Sequence, residues 1–145
     1  MNYWLMLLLL ALVLSPLSLL MPSRRQRGRM DVRLQARRMG LAMQLSPQQW
    51  PHWMMQTPPD SCPHYHRARR RGSKDTWCYW QAEPGVWLNK WREPCDNTRL
   101  HEQLRGLPED VYKVEANERV LAVWWGERGG QDALERVAEF LKSQA

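Results

Sequence analysis

The sequence lacks most of the features on which small enzymes and secreted domains are built. It has three cysteines and a single phenylalanine among 145 residues. An odd number of cysteines with no Cys-x-x-Cys pair argues against a disulfide framework. A phosphate-binding loop, a dinucleotide glycine motif and a paired-carboxylate site are also missing from the sequence. No catalytic residue and no cofactor is therefore predicted.

Charged residues are absent from the run Tyr3 to Met21, whose 19 residues are almost all apolar. As a helix this run reaches about 28 Å, close to the hydrocarbon thickness of a bilayer. A cleaved signal peptide is the alternative. It needs a basic start and a small-x-small cleavage site, and neither is found before Pro22. Residues 1–22 are therefore predicted to be an uncleaved transmembrane anchor.

The segment after the apolar run is strongly basic. It contains one acidic residue, Asp31, and seven arginines. The sum of these eight charges equals the +6 net charge of the whole chain. The arginines are Arg24, Arg25, Arg27, Arg29, Arg33, Arg37 and Arg38. Basic residues beside a membrane span stay on the cytoplasmic side, so the N-terminus is expected outside and the remaining chain inside. Residues 23–46 are predicted to be a juxtamembrane amphipathic helix in contact with anionic lipid. The alternative is that this helix packs on the following domain or extends the anchor.

Prolines interrupt residues 47–63, which are predicted to be a linker. Residues 64–145 then show strand-like alternation in five short segments and helical spacing in two. The order β-β-β-α-β-β-α with tight turns predicts an α+β domain, in which two helices cover one face of an antiparallel sheet of about five strands. Asp96 is the predicted N-cap of the first of these helices.

Cys62, His64 and His66 have the spacing that comes nearest to a metal site. The His-x-His alternation places both imidazoles on one side of a strand, and Cys78 or Cys95 could supply a further ligand. The simpler alternative is a pair of exposed histidines with three small thiols. A cysteine–histidine catalytic pair lacks an identifiable orienting acid. A metal-binding or enzymatic domain is therefore kept as the alternative function, and no metal is predicted.

A second basic cluster follows these histidines and consists of Arg67, Arg69, Arg70, Arg71 and Lys74. Basic residues close to aromatic ones are typical of nucleic-acid surfaces. However, residues 76–145 carry nine basic against twelve acidic residues, so the domain as a whole is not positive. A nucleic-acid partner is not predicted. A solvated hairpin tip or one touching the membrane is expected instead.

Tryptophan is abundant, with nine in the chain. Alternation along the strands places aromatic side chains on both faces of the predicted sheet, and two helices cover only one face. An exposed aromatic face is typical of a binding surface. The candidate interface is Trp77, Tyr79, Trp80, Trp87 and Trp91. The alternative is that the segment from Trp50 to Met55 folds over this face. The predicted function is a non-enzymatic, membrane-anchored protein that binds another protein.

Four short stretches resemble a known family: Leu14 to Leu17, Pro22 to Arg27, Ala36 to Leu41 and Trp77 to Trp80. They are similar to a small family of single-pass inner-membrane proteins of pseudomonad-like bacteria. Such proteins are sometimes labelled YajC-like accessory subunits of the preprotein translocase, on the basis of an anchor followed by a basic segment. The resemblance implies the bacterial inner membrane as the location, with translocase membership as an alternative function.

Overall fold

The computed structural model describes residues 2–20 and 24–145, and it describes side chains outside residues 16–26. Within these residues the elements follow one another as α1 (Tyr3–Leu20), α2 (Arg24–Arg38), β1 (Ala42–Pro47), β2 (Ser61–Ala68), β3 (Trp77–Glu83), β4 (Val86–Leu88), α3 (Thr98–Arg105), β5 (Val111–Ala116), β6 (Val120–Trp125) and α4 (Gly130–Gln144).

The six strands form one antiparallel sheet in the order β1-β2-β6-β5-β3-β4. Its centre is the hairpin of β5 and β6. The side-chain oxygen of Asn117 accepts the N–H groups of Arg119 (2.8 Å) and Val120 (2.7 Å) and so forms the turn between them. β6 is apolar at every position because both of its faces are covered.

One face of the sheet packs against α2, α3 and α4. Leu134, Val137 and Leu141 recur at helical spacing along α4 and are fully buried in the same cluster as Val123 and Trp125 of β6. Leu100 and Leu104 of α3 and Trp87 of β4 belong to the same cluster on this face, near the β4 edge of the sheet. This layer is the main hydrophobic core.

The opposite face is covered in part by the segment between β1 and β2. The Trp50 ring stands edge-on to Tyr112 at a centroid distance of 6.0 Å, and the Trp53 ring stands edge-on to Trp80 at 6.2 Å. The N–H of Met55 donates to a carbonyl of β3 at 2.9 Å. The proline-rich segment therefore packs against the sheet. This is the arrangement of the alternative expectation, in which the segment from Trp50 to Met55 folds over the aromatic face.

The predicted fold is wrong in its number of strands, because β1 lies where the basic helix was expected to continue. α2 ends at Arg38, and Gly40 takes a φ of 82°. The N–H of Leu41 donates to the carbonyl of Ala36 (3.0 Å) and the N–H of Gly40 to that of Arg37 (3.1 Å), which is a Schellman helix end. The helical spacing of the apolar residues misled the prediction, since it continues past this glycine.

The predicted set of two packing helices is also incomplete. α2 contributes Val32 and Ala36 to the core, so three helices cover the sheet. The N-cap of α3 is Asn97 rather than Asp96. Its side-chain oxygen accepts the N–H of Leu100 at 3.2 Å.

The predicted transmembrane anchor is wrong. Among the residues that the structure describes, no helix combines the length and the apolar character needed to cross a membrane. The predicted inner-membrane location, with the N-terminus outside and a cytoplasmic domain, depended on this anchor and is corrected with it.

Candidate functional site

β1 is an edge strand along its whole length. All six of its residues pair with β2, from Ala42 opposite His66 to Pro47 opposite Ser61, and within the described residues no strand pairs with its other side. The sequence of β1, AMQLSP, carries no charge. Natural edge strands are commonly protected from further pairing by charges, internal prolines or bulges. β1 has a proline only at its last position.

Pro63 determines which backbone groups of β1 face outward. Leu45 lies opposite Pro63, which has no N–H, so these two residues form a non-hydrogen-bonded pair. Hydrogen-bonded pairs alternate with such pairs along an antiparallel ladder, so Gln44 bonds to His64 across the ladder. The N–H and C=O groups of Met43 and Leu45 therefore point to the free edge.

A groove separates β1 from α2 on the helix-covered side of the sheet. Its volume is about 750 Å³, and it is lined by Met30, Arg33, Leu34, Arg37, Gly40, Leu41, Ala42 and Met43. Met30 and Leu34 lie one helical turn apart and are 58% and 55% exposed. Leu45, on the same side of β1 as Met43, is 54% exposed. The groove thus places an apolar lining beside unpaired strand backbone.

A partly buried ion pair ties α2, one wall of this groove, to the loop before α4. Arg33 donates to both oxygens of Glu127, from Nε at 2.8 Å and from Nη2 at 2.7 Å. The hydroxyl of Tyr65 donates to Oε2 of the same carboxylate at 2.7 Å. The Glu127 side chain is only 1% exposed, and its backbone has a φ of 60°, which non-glycine residues rarely adopt.

The electrostatics of this trio keep both donors protonated. Burial, and then the hydrogen bond to Glu127, raises the pKa of Tyr65 well above its ordinary value. The hydrogen bond to Glu127 raises the pKa of Arg33. Because Arg33 comes from α2 and Glu127 from the loop before α4, this contact ties the wall of the groove to the core.

The other edge of the sheet is closed. β4 has only three residues, and its last, Leu88, forms a bridge with Pro94 on the side away from β3. β4 ends at Leu88 because the Asn89 side chain accepts the N–H groups of Trp91 (3.0 Å) and Glu93 (2.9 Å) and turns the chain away.

The five aromatic residues of the candidate interface differ widely in exposure, although four of them line one cavity. Trp87 is 0% exposed and Tyr79 8%, so both belong to the core, whereas Trp91 is 67% exposed. Four of the five, without Trp87, line a cavity of about 460 Å³ beside the first half of β3. Trp53 covers part of Trp80 from the loop side. The chain's own Lys90 sits over the Trp91 ring at 4.3 Å.

Of the residues considered for a metal, Cys62, His64, His66 and Cys78 lie on the loop-covered side of the sheet, whereas Cys95 belongs to the main core. Within the described part of the chain, no cluster of three or more His, Cys, Asp or Glu could hold a metal ion. His64 stacks on Trp124 at 5.0 Å and lies 5.6 Å from His66. Burial raises the pKa of the Cys62 and Cys78 thiols to about 12, which leaves both poor nucleophiles at neutral pH.

The two basic clusters differ in accessibility. Of the seven arginines before β1, the side chains of Arg24 and Arg25 lie outside the described residues, whereas Arg37 and Arg38 are exposed on α2. In the β2–β3 loop, Arg69 is 5% exposed and bonds to Asp75 (2.7 Å) and to the carbonyl of Asn117 (2.8 Å). Arg69 therefore has a structural role, and it ties the loop to the β5–β6 turn.

Comparison with protein-family models, with curated proteins and with solved structures finds no match. The resemblance to inner-membrane and YajC-like proteins therefore stays a prediction.

The β1 groove is the feature that the sequence-based prediction missed. Two signals for it are present in the sequence: Gly40 followed by Leu41, which stops the helix, and Pro63, which sets the hydrogen-bonding alternation of the pair.

Proposed function

We propose that this protein is a binding module that takes up an extended segment of a partner protein as a seventh strand along β1. The observation that carries the proposal is the free edge of β1, a six-residue uncharged strand with outward N–H and C=O groups at Met43 and Leu45. Strand addition to an exposed sheet edge is a recurrent mode of peptide recognition. Main-chain hydrogen bonds supply affinity, and pockets for alternate side chains supply specificity.

The groove provides those pockets. Side chains of an added strand alternate between the two faces of the sheet. Those on the helix side enter the groove against Met30, Leu34 and Leu41, and those on the other side pass Gln44 and Ser46. The ion pair of Arg33 and Glu127 keeps α2 at a fixed distance, so the groove is formed before a partner arrives.

The competing function, an enzyme or metal protein built on Cys62, His64 and His66, has weaker support. Cys62 is fully buried with a pKa of about 12, and its thiol faces backbone carbonyls of Pro63 (3.6 Å) and Trp125 (3.8 Å). The outward backbone of β1 is, in contrast, accessible and unpaired by any strand.

A displayed random peptide library, selected against the full chain, tests the proposal. The selected peptides are then measured against Leu45→Pro, which removes one outward N–H and leaves the ladder to β2 intact. We expect binding to weaken roughly tenfold, as for a loss of about 1.4 kcal/mol. Leu45→Val is the matched control, since it keeps both the N–H and an apolar side chain, and it should bind nearly as the parent does.

A second measurement uses the peptide itself. N-methylation at successive positions removes one peptide N–H at a time, and an added strand uses the N–H of every second residue toward its neighbour. Binding should therefore drop at alternate positions. Equal binding by Leu45→Pro, or sensitivity to N-methylation without alternation, would contradict strand addition at β1.

A further inference from the structure

α2, the helix that borders the groove beside β1, carries excess positive charge. Four arginines with described side chains lie on α2 besides Arg33, and a single acidic residue, Asp31, accompanies them: Arg27, Arg29, Arg37 and Arg38. Arg33 is neutralised by Glu127 at 2.7 Å. Arg37 is exposed and lines the groove directly. β1 contributes no charge of either sign.

The positive surface continues beyond the Leu41 end of the groove. A second cavity of about 690 Å³ shares Leu41 with the first and is lined by Met39, Arg67, Ala138, Glu139, Lys142 and Ser143. It contains two cationic side chains against one carboxylate. The cationic residues Arg67 and Lys142 therefore add to the positive charge near this end of the groove.

We infer that the partner segment is acidic, with apolar side chains at alternate positions for the groove and carboxylates placed toward Arg37 and Arg38. This inference rests on the proposed function of strand addition. Apolar side chains fit Met30 and Leu34, and opposite charge stabilises the complex and speeds encounter. A second copy of this chain is disfavoured as the occupant, because pairing two β1 edges brings two arginine-rich helices together.

Nucleic acid fits this surface less well. Its phosphates could contact the arginines, but a sugar-phosphate backbone cannot continue the hydrogen-bond ladder of Met43 and Leu45 or fill the apolar lining. An acidic peptide uses all three features of the site: the strand edge, the apolar groove and the arginines.

Three blocked octapeptides test the inference by titration calorimetry on the full chain. Their groove-facing alternate positions carry valine in the middle and glutamate, glutamine or lysine at both ends, and threonine fills the intervening positions. We expect the glutamate peptide to bind about tenfold more tightly than the glutamine peptide at 50 mM salt, and the lysine peptide to bind more weakly than both. The advantage of the glutamate peptide should shrink at 500 mM salt, since these arginines are exposed.

Paired substitutions assign the preference to α2. The double variant Arg37→Gln and Arg38→Gln should remove most of the preference for glutamate, measured as the ratio of the affinities of the glutamate and glutamine peptides for the same variant. The control, Arg99→Gln with Arg105→Gln, removes the same charge from exposed positions of α3, which contacts β4 at the far edge of the sheet. It should retain the preference.

The outcomes separate the two claims. Equal affinity for the glutamate and glutamine peptides, with both sensitive to Leu45→Pro, overturns the acidic partner and leaves strand addition standing. Peptide affinity that is unchanged by Leu45→Pro, or no peptide binding at all, overturns strand addition and with it this inference. If a single-stranded RNA oligonucleotide displaces the glutamate peptide and binds more tightly than it does, the arginines serve nucleic acid and the inference is wrong.

Discussion

β1 and β4 form the two edges of the same sheet, but they leave different surfaces to the solvent. β4 is three residues long, is bridged on its outer side by Pro94, and is anchored through Trp87 in the core. β1 is six residues long, uncharged and unbridged, and it lies beside an apolar groove. Unprotected edges invite association with other strands, so natural proteins generally block them. This chain blocks one edge and leaves the other available, which is the pattern expected if β1 is used for binding.

Arginines add a second difference between the edges. α2, which borders β1, carries exposed positive charge, whereas α3, at the β4 edge, has a more mixed surface with Arg99, Glu102 and Arg105. Charge of one sign beside an open edge discourages self-association and favours an oppositely charged partner. The positive charge of α2 thereby makes the β1 edge selective for acidic partners, while the edge itself stays open.

The largest expected effect concerns the anchor of the closed edge. Trp87→Ala should lower the free energy of unfolding by about 3–5 kcal/mol, because it removes a fully buried indole and leaves a cavity between α3 and the sheet. Trp91→Ala, at a 67% exposed position four residues later, should change it by about 0.5 kcal/mol or less. Urea unfolding followed by circular dichroism measures both. A large loss from Trp91→Ala would show that the loop after β4 belongs to the core.

The sequence predicts the hairpin of β5 and β6 and the two helices α3 and α4 well, because each has a clear period of two or of 3.6 residues. It fails at β1, whose six residues are too few to show alternation and follow helical spacing directly. The core position of Tyr79 could not be distinguished from a surface position by alternation, since aromatic residues occur on both faces of β3. The strand that carries Trp87, β4, has only three residues, too few to show alternation.

The groove could not be predicted from local sequence patterns. Its wall depends on Arg33 meeting Glu127, which lies 94 residues later in the chain, and no short-range signal reports such a contact. Glu127 also takes a backbone conformation that its residue type disfavours, so local propensity points away from it. Gly40 and Pro63 are the two local signals from which the β1 edge could have been inferred.

The second-largest expected effect concerns the Glu127 contacts that hold α2 beside the open β1 edge. Glu127→Ala leaves Arg33 and the Tyr65 hydroxyl without their acceptor, and it should cost about 2–3 kcal/mol of stability. Relative to the parent protein, amide hydrogen exchange in this variant should accelerate more in α2 than in α4. If α2 keeps the protection it has in the parent protein, the packing of Val32 and Ala36 alone holds the groove wall.

The third prediction tests the hydrogen-bonding alternation of β1. Gln44→Pro removes an N–H that bonds to His64 and leaves a carbonyl of β2 unpaired, so it should cost about 1–2 kcal/mol. Leu45→Pro removes an outward N–H and should cost about 0.5 kcal/mol or less. Thermal unfolding of the two variants gives the difference. A reversed order would mean that Gln44 and not Leu45 faces the free edge, and the register of strand addition would shift by one residue.

The smallest expected effect is a pH dependence at His64, whose ring nitrogen Nδ1 lies 3.3 Å from the Ser46 hydroxyl of β1. Burial, and then the charges of His66 and Lys113, lower the pKa of His64, and Glu115 opposes them. The folded chain therefore holds a proton at this site less well than the unfolded chain, whose histidine pKa is about 6.5. The contribution of His64 to stability is complete above that pH and decreases as the pH falls toward the lower folded pKa.

His64→Phe keeps an aromatic ring to stack on Trp124 but cannot take up a proton. The melting temperature should therefore fall less between pH 7 and pH 5 in this variant than in the parent protein, because protonation of His64 no longer favours the unfolded chain. Parallel pH profiles would mean that His64 is as well solvated in the folded chain as in the unfolded one. The loop-side face next to β1 would then be open to water, and a partner strand could be contacted from that side as well as from the groove.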